Sequence, residues 1–100
     1  MAKVVVGSIT FESDTPETLF KYIERCFKRD SEYRNTQEIY NKYFKNHWTK
    51  DDAIEEQWRL ENEGYNCGIW IDVCAILEWY IKYGKDKHDL FDFMEGSYET

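Results

Sequence analysis

Apolar positions are spaced in five helical runs, the last of them short, and one strand-like run, and one of the helical runs is apolar almost all round. That run is Cys67 to Lys85, C-G-I-W-I-D-V-C-A-I-L-E-W-Y-I-K-Y-G-K. As a helix over about 69–83, it places Trp70, Val73, Cys74, Leu77, Tyr80 and Ile81 on one broad face, the recurrence of a core helix. Asp72, Ala75, Glu78 and Lys82 fall on a narrow opposite stripe, expected to face water. Ile69, Ile71, Ile76 and Trp79 flank that stripe and need cover, so most of the circumference should be buried. Gly84 suits the position after the last turn. Gly68–Cys74 is also β-branched and alternating, so a strand competes there; length favours the helix. The run is too short and too polar to span a bilayer, which needs about 20 apolar residues.

From the N-terminus, Lys3–Glu12 alternates like a strand, with Val5, Ile9 and Phe11 on one face and Val4, Val6, Ser8 and Thr10 on the other. Gly7-Ser8 marks a bulge, or a turn between two very short strands. The strand's backbone needs a partner. Three remain open: a folded-back Val4–Val6, the Gly68–Cys74 segment, or the same strand of a second molecule, giving a homodimer.

Asp14 fits an N-cap, with Pro16 in the first turn and Glu17 completing a capping box. Leu19, Phe20, Ile23, Cys26 and Phe27 follow at helical spacing, and residues 30–35 form a polar connection. A second helix runs from Asn35 or Thr36 to about Asn46, with Ile39, Tyr40, Tyr43 and Phe44 inward. Thr49 and Asp52 make a second capping box opening a helix over Lys50–Glu63, which Gly64 ends. Ala53, Ile54, Trp58 and Leu60 are expected inward there, and Asp52, Glu55, Glu56 and Glu63 together on the opposite face. After the central helix, Asp86 caps a short final helix with Leu90, Phe91 and Met94 inward. The expectation is an α+β, mostly α-helical fold: an N-terminal strand or hairpin, then four to five helices around the central apolar one, in one domain over 1–100.

Composition narrows the function classes. A hydrophobic content of 42% argues against disorder, and a single proline with five glycines argues against a turn-rich all-β fold. Three cysteines without a C-x-x-C pair, and no signal-like N-terminus, point to reduced thiols and a cytoplasmic setting. His47, His88 and the carboxylates show no metal-ligand spacing, so no cofactor is expected. Cys67, beside Gly68 at a helix start, is the one thiol placed for a lowered pKa; a packed thiol is the plainer reading. Phosphate-binding glycine motifs are absent, and the chain is not expected to be an enzyme.

Charge is asymmetric. Residues 1–50 carry nine Lys/Arg and seven Asp/Glu; residues 51–100 carry four and thirteen, a net of −9. In the first half, Lys21, Arg25, Lys28, Arg29, Arg34, Lys42, Lys45 and Lys50 alternate with tyrosines, a pattern that can track a nucleic-acid strand. Interleaved acids and a pI near 4.8 argue against direct nucleic-acid binding. In the second half, Asp52, Glu55, Glu56 and Glu63, then Asp86, Asp89 and Asp92, form a one-sign field that would steer a basic protein partner. Trp48 and Tyr65, at helix edges, could anchor such an interface. A solubilising acidic face is the plainer alternative.

In size, acidity, aromatic content and lack of catalytic motifs, the chain resembles small phage-encoded inhibitors, including DNA mimics and anti-CRISPR proteins. The likeness is one of size and composition and transfers no site. It implies a small acidic interaction module that inhibits a nucleic-acid-handling enzyme by binding its basic surface. The alternatives are a self-associating structural or regulatory subunit, or a small enzyme of unrecognised type.

Overall fold

The structure, a computed structural model, describes residues 1–31, 36–46, 48–64 and 68–84. It is an α+β arrangement: a hairpin of β1 (Ala2–Val6) and β2 (Ile9–Ser13), then α1 (Pro16–Asp30), α2 (Gln37–Phe44), α3 (Lys50–Glu63) and α4 (Ile69–Tyr83). The final helix expected from Asp86 lies outside the described residues.

The strand-pairing question is answered within the molecule. β1 and β2 are antiparallel, with Val4 opposite Phe11 and Val6 opposite Ile9. Gly7 has φ +60, and no non-glycine described residue has positive φ, which fits a two-residue type II′ turn with glycine first. The turn corrects the expected faces. Cross-strand partners share a face, so Val4 joins Phe11 inside, while Val5 points out, 49% exposed. A continuous strand would have put Val5 with Phe11.

Residues flanking a two-residue turn form a hydrogen-bonded pair, and alternation then aims the Lys3 backbone groups away from β2. α4 meets them. The Lys3 amide donates to the Tyr83 hydroxyl at 3.0 Å, and Lys82 Nζ donates to the Lys3 carbonyl at 2.9 Å.

Helix α1 is capped one residue later than expected. Thr15, not Asp14, is the N-cap: its hydroxyl accepts from the Thr18 amide, and the Thr18 hydroxyl accepts from the Thr15 amide. The capping box is therefore Thr-x-x-Thr, and Pro16 opens the helix. Leu19, Ile23, Cys26 and Phe27 are buried as the spacing predicts.

Helix α4 lies at the centre. Val73, Ala75, Ile76 and Leu77 are wholly buried, and the helix packs against α1, α3 and β1. The strand alternative for Gly68–Cys74 is overturned, since Ile69–Cys74 is helical. At its C-terminal end, Gly84 has φ −75, so glycine is required there for another reason: a β-carbon would strike the Tyr80 carbonyl. Aromatic edges tie three helices together. Phe20 of α1 meets Trp79 and Tyr80 of α4 and Phe44 of α2, with ring centroids 5.1, 6.1 and 6.2 Å away.

The expected polar stripe of α4 is corrected at Asp72 and Ala75, both buried. α1 covers that side, and Asp72 lies against Asp30 with Cys26 and Arg29 nearby. Asp72 Oδ2 has no hydrogen-bond partner among the described residues. Burial, then the adjacent Asp30 carboxylate, push the Asp72 carboxyl well above the usual carboxylate range. Asp72 and Arg29 hold the Asp30 carboxyl low, against its partial burial.

Candidate interaction face

Helix α3 carries the acidic cluster, and its local sequence fixes how that cluster is presented. Thr49 caps it, accepting from the Asp52 amide at 3.1 Å, and Gly64 ends it in the left-handed conformation at φ +80. Asp51 and Asp52 sit in the first turn, where the helix dipole favours negative charge. The inward seam is narrow: only Ala53 and Leu60 are buried.

This corrects the expected inward set. Ile54 is 51% exposed and Trp58 68% exposed. At about 100° per residue, Ile54 and Trp58 point roughly 110–150° from the midpoint of Ala53 and Leu60, too wide for one seam against a single partner helix. They project side by side, four residues apart, on the outer face.

The four acids expected on the opposite face have different fates. Glu56 is drawn in, its side chain only 11% exposed. It accepts two bonds from the Arg59 guanidinium, at 2.9 and 2.7 Å, one from the Tyr43 hydroxyl, and an ion pair from Lys42 at 3.1 Å. The Arg59 bonds, assisted by Tyr43 and Lys42 and opposed by burial, hold its carboxyl down to about 2. Burial and Glu56 together raise the Tyr43 hydroxyl. Arg59 also reaches Glu63 at 2.9 Å. Glu56 and Glu63 are therefore neutralised by the chain itself, and the expectation that Glu56 points outward is overturned. Asp51, Asp52 and Glu55 form no ion pair among the described residues.

Trp48 stands beside this face. Its ring stacks on Tyr43 at 5.6 Å, and its Nε1 donates to the Lys42 carbonyl at 2.8 Å. A shallow, open groove of about 660 Å³ runs between Trp48 and Trp58, floored by Asp52, Glu55, Glu56 and Arg59 and closed by Asn46 and Asn62. The structure thus brings together Trp48, Asp52, Glu55 and Glu56 of the expected site, with Glu63 one turn along. Tyr65, Asp86, Asp89 and Asp92 lie outside the described residues, as do His47, His88 and Cys67. Sequence reasoning missed Asp51 and the exposed Trp58 and Ile54. The width of their spacing was the available signal.

Part of the basic half is engaged internally. Lys28 and Lys45 sit over the Tyr40 ring at 5.2 and 5.9 Å, and Lys42 over Tyr43 at 5.2 Å. Among the described residues no group of three His, Cys, Asp or Glu side chains could hold a metal ion, and no helix is long and apolar enough to cross a membrane. Compared with protein-family models, curated proteins and solved structures, the chain matches none.

Proposed function

We propose that the protein is an interaction module that binds a basic protein surface through the outer face of α3. The observation that carries this reading is the pairing of exposed Trp58 and Ile54 with Asp51, Asp52 and Glu55, three carboxylates in no ion pair among the described residues. An exposed tryptophan beside uncompensated charge offers an apolar anchor and a steering field on one helix face. A partner with a small apolar recess rimmed by Lys or Arg would complement both. The inhibitor of a nucleic-acid-handling enzyme is the narrower form of this reading, supported by size and acidity alone.

The test is a titration against a partner recovered by pull-down, at low and high salt, with wild type, Trp58→Ala and Glu55→Lys. Trp58→Ala should weaken binding by about tenfold or more. Glu55→Lys should act mainly on the association rate, and wild-type affinity should fall as salt rises. Affinity unchanged in both variants would remove this face from the interaction.

A further inference from the structure

A second concavity lies between the hairpin tip, α3 and α4, about 400 Å³ in volume and more enclosed than the groove at Trp48. Its apolar walls are Val6 and Ile9, which share one face of the hairpin, with Ile71 and Cys74 of α4; Ile9 is 41% exposed, so part of this apolar surface is uncovered by any described residue. Its polar groups are Ser8, Gln57, Glu61 and Glu78. Glu78 accepts from Gln57 Nε2 at 2.6 Å, a neutral donor, and Glu61 is in no ion pair among the described residues. Two carboxylates thus rim an apolar recess to which the described chain supplies no cation.

We propose that this recess binds a small aliphatic amine as its ammonium cation, the alkyl body on Val6, Ile9 and Ile71 and the head at Glu61 and Glu78. The volume falls within the range of small-molecule sites, about 300–1,000 Å³. Apolar walls on one side strengthen the field of the two carboxylates at the mouth. An anion is repelled there, and a neutral alkyl group gains only the walls. The proposal is independent of the α3 outer face, because neither Ile54 nor Trp58 lines this recess.

The experiment is a methyl-detected NMR titration of the full chain with n-hexylammonium, n-hexanol and hexanoate in turn. Hexylammonium should give saturable shifts at the Val6, Ile9 and Ile71 methyls, hexanol weaker ones and hexanoate none. The Glu61 side chain is exposed and makes no hydrogen bond or ion pair among the described residues, so Glu61→Gln should leave the protein folded and weaken hexylammonium by about threefold. Equal shifts from hexanol and hexylammonium would overturn the proposal. So would the absence of saturation, an unchanged affinity in Glu61→Gln, or equal shifts at Ile54 on the other acidic flank.

Discussion

The Trp79 indole nitrogen donates to the Pro16 carbonyl at 2.7 Å, joining the last turns of α4 to the first turn of α1 across 63 residues of sequence. The same ring meets Phe20 edge-on at 5.1 Å. Trp79→Phe keeps a ring and loses the donor, and should cost about 1–2 kcal/mol in urea melts. A loss within error of zero would mean that the bond adds nothing to the α1–α4 packing.

Leu77 is wholly buried in the middle of α4. Leu77→Ala removes apolar area and leaves a cavity, with an expected cost of about 2–5 kcal/mol. Equilibrium unfolding showing less than about 1 kcal/mol would contradict its place at the centre of the core.

Stability should depend on pH through two carboxyl groups of opposite sign. Asp72 is raised in the fold above its unfolded value of about 4, so its contribution is full below that value and is lost as pH rises through the folded value. Glu56 is lowered to about 2, so its contribution is present above about 4 and is lost as pH falls toward 2. Asp30, also lowered, acts in the same direction as Glu56 and offsets part of the Asp72 term. The maximum should therefore lie at mildly acidic pH. Asp72→Asn keeps a neutral group against Asp30 and should flatten the alkaline limb. Thermal melts from pH 4 to 9 read this directly, and an unchanged alkaline limb in the variant would exclude Asp72 as its source.

Neighbouring acids on α3 should respond differently to charge reversal. Glu55 points into solvent, so Glu55→Lys should change stability by no more than about 0.5 kcal/mol. Glu56→Lys faces Arg59 and Lys42 and strips the Tyr43 hydroxyl of its acceptor, and should cost about 1–3 kcal/mol. Parallel melts of the two variants check this; equal values would mean that the Arg59–Glu56–Tyr43 network carries no net stability.

Much of the fold was legible because helical spacing is a strong signal wherever one face is fully covered. Leu19, Ile23 and Phe27 on α1 and Val73, Leu77 and Tyr80 on α4 are buried as their spacing implies. The errors arose where the partner surface decides. Asp72 reads as polar until α1 is known to cover it. Ile54 and Trp58 read as core until the width of the α3 seam is known. Val4 and Val5 exchange faces because a two-residue turn shifts the parity of the second strand, and parity is invisible until the turn is placed. At Thr15, two adjacent residues could each cap the helix, and the Thr18 hydroxyl decided between them. The acidic stretch of α3 was legible as composition, but its division into paired and unpaired carboxylates depends on where Arg59 and Lys42 reach.

The contacts of Tyr83 and Lys82 with the Lys3 backbone make the start of β1 and the end of α4 one opening unit. The Lys3 amide loses its acceptor when the last turn of α4 frays, or when the strand lifts and abandons both acceptor and donor. Its hydrogen-exchange rate should therefore track that of the Tyr80–Tyr83 amides. The outward Thr10 and Glu12 amides on the free edge of β2 meet no such side chain among the described residues, and they should exchange on the timescale of an open strand. Two strands of one hairpin would then report two different free energies of opening.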